Sequence, residues 1–365
     1  MQKIIFTVTN DLNYDQRMQR ICSSLQSYGF DVLLVGVKRK KSISLSSQKF
    51  QQKRISIFFE KTFLFYAEYN IKLFFFLLFK RAEAICAIDL DTILPCYFVS
   101  VLKQTKRVYD AHEIFTEMNE VINNKKVKWF WDKIEAFCVP KFEYGYTVNI
   151  FIKEEFMRRY MVNYGVIRNF PLLSKSTNQT INQSNNQTII YQGAINYGRG
   201  FEKLIPAMKK VNAELHLYGI GNFYAEVENL IKSNDVSDKV KLLGTVLPKQ
   251  LKEITPTAKF GVTIFEREGM NQYYSLANRF FDYIMAGIPQ VCVAYPEYVR
   301  INNEFKVALL VNDIEPDTLS NAMNTLISDT VLYNRLKENT LQAREVLNWQ
   351  TEEKKLIQFW TNIFI

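Results

Sequence analysis

Short runs that are apolar from end to end alternate with amphipathic stretches, and this chain does so twice. Lys3-Ile4-Ile5-Phe6-Thr7-Val8 reads as a strand. A polar loop follows, then a helix with Met18, Ile21, Cys22 and Leu25 on one face. Residues 27–30 end that helix, and residues 31–36 form the next strand. A strand with no polar face is covered on both sides, so the pattern predicts a parallel sheet between layers of helices. Further strands are expected at 54–59, 84–88, 107–109, 145–148 and 165–167. The stretch 174–188 breaks the rhythm. It is polar, low in complexity and aperiodic, as in a linker or exposed loop. Alternation restarts with strands at 189–192, 214–218, 240–243, 261–264, 290–293 and 308–311, and a helix over 352–364 closes the chain. For 365 residues this predicts two Rossmann-like, doubly wound α/β domains, 1–172 and 189–349, facing a central cleft and joined by the polar segment 173–188.

Charge separates the two halves. Residues 1–172 hold 26 Lys and Arg against 17 Asp and Glu, whereas residues 173–365 hold 20 of each. The whole net charge of +9 therefore lies in the first half. A one-sided basic domain points to an anionic partner: a membrane surface, a lipid phosphate or nucleic acid. No nucleic-acid recognition motif accompanies the charge, so nucleic acid is not expected as a partner. Leu73-Phe74-Phe75-Phe76-Leu77-Leu78-Phe79 is an apolar run between Lys72 and Lys80-Arg81. It is far short of the roughly 20 residues that span a bilayer. The stretch 63–79 reads as a core helix, with an interfacial helix as the alternative. The five cysteines are scattered and form no Cys-x-x-Cys pair, which argues against a disulfide framework or a zinc site. The first residues run into a strand without a signal-peptide pattern. The expected location is cytoplasmic, with peripheral contact to the inner face of the membrane.

Ligands of doubly wound sheets sit beyond the C-terminal ends of the strands. Gly193-Ala194-Ile195-Asn196-Tyr197-Gly198-Arg199-Gly200 follows a strand and opens a helix. Backbone N–H groups at such a start, beside Arg199, suit a diphosphate. The alternative is an ordinary turn with an exposed arginine, and no Gly-x-Gly-x-x-Gly fingerprint is present. Gly219 and Gly244-Thr245 lie in two further strand-end turns. Glu266 and Glu268 stand on the loop after 261–264, with Asn271 beyond them, and read as site carboxylates or as solvated loop residues. In the first half Asp110, His112 and Glu113 cluster at a strand exit, as a functional loop or as a helix cap with a hydrogen-bonded histidine. His112 has no His or Cys at ligand spacing, so no metal is expected. His216 lies within a strand and reads as structural. Asn278 and Asp282 share one face of a helix expected over 275–286, ended by Gly287 with Pro289 behind it.

The segment Ser275-Leu276-Ala277-Asn278-Arg279-Phe280-Phe281-Asp282-Tyr283-Ile284-Met285-Ala286-Gly287-Ile288-Pro289 resembles the donor-binding helix of GT-B glycosyltransferases of retaining family 4, the glycosyl transferases group 1. The resemblance implies transfer of a sugar from a nucleotide-diphospho-sugar to a glycan or lipid-linked acceptor. It further implies retention of configuration and a role in surface-polysaccharide biosynthesis, with no metal or other cofactor. Asp282 matches the residue that binds the ribose, and Arg199 the basic residue that grips the diphosphate within the Gly193–Gly198 loop. Gly219 and Gly244-Thr245 resemble the turns beside the nucleotide, the second contacting the base. Glu266 or Glu268 takes the place of an acid near the reacting sugar, and Asn271 that of a sugar-hydroxyl contact. Asp110-x-His112-Glu113 resembles a sequence on the first domain, where the acceptor binds, and Asp15-x-Arg17 resembles the start of its first helix. The last helix, 350–365, is expected to return to that domain. Two departures stand out: Ala194 replaces a second arginine, and Tyr274 stands eight residues before Asp282 where many members have an acid. They keep open a second reading, a sugar-nucleotide or glycan-binding protein that has lost catalysis.

Overall fold

Strand β1 (Lys3–Thr7) is buried at every residue after Lys3, because the sheet it belongs to is covered on both faces. A computed structural model describes residues 1–173 and 187–365, which form two units: Met1–Asn169 with Glu352–Ile365, and Phe170–Thr351.

The first unit holds β1, β2 (Asp31–Lys38), β3 (Gln51–Ser56), β4 (Ala84–Ile88), β5 (Lys106–Ala111), β6 (Tyr144–Thr147) and β7 (Gly165–Val166). Its helices are α1 (Gln16–Tyr28), α2 (Thr62–Leu78), α3 (Ile93–Lys103), α4 (Asn119–Ile122), α5 (Lys125–Cys138) and α6 (Ile150–Tyr160). The strands run parallel in the order β3-β2-β1-β4-β5-β6-β7. Chain direction across the sheet reverses between β1 and β4, and such a reversal opens a crevice at the strand ends. Asp15 caps α1 by accepting from the Met18 N–H, and Met18, Ile21, Cys22 and Leu25 form its buried stripe. β3 lies earlier than the expected 54–59. It is an edge strand of Gln51, Gln52, Lys53 and Arg54, with no apolar run to mark it.

The core-helix reading of 63–79 needs correction. α2 buries only Phe65, Tyr69, Leu73 and Leu77, a stripe with a period of four, and leaves Phe63, Ile71 and Phe75 exposed. Among the described residues no helix is long and apolar enough to cross a membrane. The final helix, α15 (Trp349–Phe364, numbered after those of the second unit), packs on this sheet. Trp360 meets Phe6 edge-on at 5.3 Å, Phe359 meets Tyr146 at 5.0 Å, and the Glu353 carboxylate accepts from Ser24.

The second unit holds β8 (Thr188–Gln192), β9 (Glu214–Tyr218), β10 (Val240–Gly244), β11 (Phe260–Thr263), β12 (Gln290–Val293) and β13 (Ala308–Val311). Its helices are α7 (Phe201–Ala207), α8 (Tyr224–Ser233), α9 (Pro248–Ile254), α10 (Gly269–Tyr273), α11 (Asn278–Ala286), α12 (Pro296–Phe305), α13 (Pro316–Ser328) and α14 (Thr330–Ala343). The parallel order is β10-β9-β8-β11-β12-β13, so direction reverses between β8 and β11. Of the polar segment expected over 173–188, residues 174–186 lie outside the described residues, and Thr188 already belongs to β8.

α11 begins at Asn278, three residues later than expected. Ala277 is extended, and its N–H donates to the Tyr298 hydroxyl at 2.9 Å, which holds the preceding segment out of the helix. Gly287, at φ 72°, ends α11 as predicted.

Candidate active site

Each unit places its candidate residues where its sheet reverses, and the two sets are described separately.

In the first unit the exits of β4 and β5 meet the start of α1. Arg17 is buried and donates through Nη2 to Asp110 Oδ1 at 3.1 Å, through Nε to His112 Nε2 at 2.9 Å, and to the Ile167 carbonyl. His112 Nδ1 lies 3.4 Å from Asp89 Oδ2, and its Nε2 lies 3.2 Å from Asp110 Oδ2. Burial opposes charge on the Asp110 carboxyl, but Arg17 and His112 outweigh it and hold its pKa below the usual range. Burial likewise opposes a charged imidazole, yet Asp89 and Asp110 outweigh it and raise His112. A neutral ring accepts from Arg17, whereas a protonated ring donates to both carboxylates. His112 is therefore fixed in place in either state.

Asp110 ends β5 as an ion-pair partner, so the helix-cap reading is replaced. Asp15 caps α1 and does not line the cavity that opens here; Glu113 does. That cavity has a volume of about 1280 Å³, with Asp89, Asp91 and His112 among its lining. Burial, then the charge of Asp89, push the Asp91 carboxyl up to about 7, and Thr9 donates to it. Asp89 and Asp91 were absent from the sequence reading, although both directly follow the expected strand 84–88.

In the second unit three glycine turns lie side by side. The Gly193 N–H donates to the Tyr218 carbonyl at 2.9 Å, and the Gly219 N–H to the Gly244 carbonyl at 2.8 Å. Gly219 has φ 151°, and a Cβ there would stand 1.9 Å from the Gly193 oxygen, so only glycine fits. The loops after β8 and β11 are joined by the Glu266 N–H donating to the Gly198 carbonyl at 3.1 Å. Asp282 accepts from Gln192 Nε2 at 3.0 Å, which places it beside the end of β8, and Asn278 lies one turn earlier on α11. Burial, then the charges of Glu202 and Glu268, push Glu266 up to about 7. Glu268 also lies 3.5 Å from the Tyr197 hydroxyl. Asn271 sits on α10, and Thr245 is exposed beyond Gly244. His216 pairs with Glu214 at 2.8 Å on the strand they share. Among the described residues no cluster of His, Cys, Asp and Glu is arranged to hold a metal ion.

The arginine count at this site also changes. The Arg199 guanidinium lies 4.9 Å from the centre of the Phe265 ring, and that of Arg279 lies 4.4 Å from the same ring. Arg279 is 7% exposed. It donates to the Tyr191 hydroxyl at 2.9 Å and the Ile264 carbonyl at 3.2 Å, and its Nε has no hydrogen-bond partner. A Cβ on Gly193 would lie 3.2 Å from Arg279 Nη1, so this guanidinium reaches the loop where Ala194 leaves an arginine missing. The only sequence signal was a cation directly ahead of Phe280-Phe281.

Residues 174–343 match the family described as glycosyl transferases group 1. The chain has the GT-B fold, and its second unit is similar to the glycosyl transferases group 1 over nearly its whole length. No curated protein matches the sequence. Among solved structures, sucrose-phosphate synthase from Thermosynechococcus elongatus superposes with a TM-score of 0.81 at 15% identity, over 100% of this chain and 99% of that one. HepE from Anabaena, in complex with UDP-glucose, gives 0.76 at 14%, over 99% and 100%. The apo lipopolysaccharide outer core galactosyltransferase WaaB gives 0.70 at 11%, over 99% of both chains. At these identities the likeness speaks for the fold, and this chain has it along its full length.

Proposed function

We propose that this protein moves a sugar, with retention, from a nucleotide-diphospho-sugar to a glycan or lipid-linked acceptor in surface-polysaccharide assembly, without a metal. The observation that carries the donor half is the second unit's site: stacked glycine turns, two arginines on one phenyl ring, and Asp282 at the adjoining helix. Its chemistry follows from charge. As the sugar leaves, negative charge grows on the diphosphate, and Arg199 and Arg279 stabilise it in a partly buried setting. α7 has only seven residues, so the arginines supply more of this field than the helix start does. Glu266 or Glu268 steadies the cationic sugar, and Asp282 fixes the ribose and with it the reacting carbon. The HepE complex holds UDP-glucose, which supports a UDP-sugar as donor.

The first unit takes the acceptor. Asp89 and His112 line its cavity, with Asp110 and Arg17 buried behind and holding His112, and the imidazole gives the acceptor hydroxyl a group that can hold a proton. The basic charge of this half favours work at the inner face of the membrane, where anionic lipid lies.

Asp282→Asn tests the donor reading. Loss of a charge-assisted hydrogen bond costs about 1.5–3 kcal/mol, so nucleotide-sugar affinity should fall roughly tenfold to a hundredfold while the melting temperature holds. Unchanged affinity in a folded variant removes Asp282 from the site.

A further inference from the structure

Three helices of the first unit lie side by side and leave their outer faces to solvent: α2 touches α3, and α3 touches α5. On α2 and just beyond it Ile71, Phe75 and Phe79 are 58%, 54% and 82% exposed. On α3 Leu102 is 65% exposed, and on α5 Trp129 is 64% exposed. Isolated exposed apolar residues are ordinary, but contiguous ones on neighbouring elements mark an interaction surface. Segments 61–81, 93–107 and 125–141 contain twelve Lys and Arg and only three acidic residues. Of those acids, Glu135 is buried, Glu68 is tied to Lys72 and to the backbone of Phe58 and Phe59, and Asp132 is paired with Lys128 at 3.2 Å. The outward charge around the apolar patch is therefore almost all positive: Lys80, Arg81 and Lys133 are exposed there.

The patch runs on into the cavity. Phe63 and Phe130 are exposed, line the cavity, and pack edge-on at 5.7 Å, joining α2 to α5 at its rim. Lys125 and Lys126 are exposed and line it too. Further in, Tyr66, Phe115 and Trp131 make an aromatic wall, and Asp89 and His112 supply polar groups. Polar groups beyond an aromatic entrance suit a ligand with a hydroxyl-bearing head on an apolar anchor.

We propose that the outer faces of α2, α3 and α5 dock on an anionic lipid bilayer, so that a lipid-linked acceptor enters the cavity head-first past Phe63 and Phe130. The inference rests on the acceptor role given to this unit above. Aromatic side chains sit well at the headgroup level, and lysines around them meet anionic lipid. A protein partner would be favoured by an acidic or mixed rim, which this surface lacks.

The test is co-sedimentation of the full chain with vesicles of phosphatidylcholine, with and without phosphatidylglycerol, at low and high salt. The wild type should bind the anionic vesicles at low salt and lose at least about tenfold in partitioning on neutral vesicles or in high salt. Phe75→Ser with Phe79→Ser, and separately Lys80→Glu with Arg81→Glu and Lys133→Glu, should each lower binding to anionic vesicles about tenfold. All these positions are exposed, and a melting temperature confirms that the variants fold. Failure to bind either vesicle, equal binding to both, or wild-type binding by both variants overturns the proposal. So does concentration-dependent self-association that the variants abolish, since the face would then be an interface between copies. Thermal stabilisation by a panel of nucleotide-sugars, measured alongside, reports on the second unit. Its absence with vesicle binding intact defeats the donor reading and leaves the docking face standing.

Discussion

Arg279 is a buried cation whose hydrogen bonds go to a phenol and a carbonyl, both neutral, with Nε left over. A buried charge is costly unless it is compensated, so this one is set to receive an anion. Arg279→Ala should weaken UDP binding roughly tenfold to a hundredfold and leave uridine binding nearly unchanged, because the guanidinium meets the diphosphate and not the nucleoside. Calorimetry with both ligands checks this, and an equal loss for the two contradicts the role. Glu266 gives a pH signature. With its pKa raised to about 7 it is neutral below that pH and ionised above it, where it repels the diphosphate. A nucleotide-sugar diphosphate does not titrate in this range. Its affinity should therefore rise as pH falls from about 8 to about 6. Glu266→Gln should remove the slope and hold affinity at the low-pH level. A wild type with no slope, or an unchanged slope in the variant, counts against the placement. Arg199, Asp282 and the acids after β11 can be proposed from the sequence because each stands at a strand exit or a helix face. Arg279 and Asp89 were not singled out. Arg279 owes its place to packing between Tyr191 and Phe265, residues 88 and 14 positions earlier, which no local pattern displays.

At the scale of elements the glycine turns and the last helix carry the most testable structure. Gly219→Ala combines a strained φ with a clash against the Gly193 backbone, so the β8 and β9 exits must separate. Nucleotide-sugar binding should be lost with a modest drop in melting temperature, and full binding by the variant would show that the turns need not touch. Trp360 is fully buried against Phe6. Trp360→Ala should cost about 3–5 kcal/mol in the unfolding of the first unit, read from urea titration. A loss under about 1 kcal/mol would mean that α15 contributes little to that core. Buried strands were read closely from their apolar runs, and β4, β9, β12 and β13 lie where the sequence puts them. Edge and surface elements were read less well, for a physical reason. β3 pairs through its backbone while its side chains stay half in water, and α2 is apolar on more than one side while only one stripe meets the core. Apolar content shows that a helix has something to cover, but not whether its own domain covers it.

Across the whole molecule, the proposed donor site lies in one unit and the proposed acceptor site in the other. The charge follows that division: the half that carries the acceptor cavity is basic, and the half with the two-arginine site is neutral in sum. If the second unit binds the donor as proposed, it needs no excess of positive charge, since two placed guanidiniums would do the local work that net charge cannot. The most direct measurement is a thermal-stability screen of the full chain against a panel of nucleotide-sugars, with wild type and the Asp282→Asn and Arg279→Ala variants side by side. A ligand that binds only the folded state at a hundred times its Kd adds about 2.7 kcal/mol, or roughly 5–10 °C for a domain the size of the second unit. At least one nucleotide-sugar should raise the wild-type transition by that amount, and both variants should lose most of the shift. No shift from any nucleotide-sugar, or an undiminished shift in both variants, would contradict the proposed donor site.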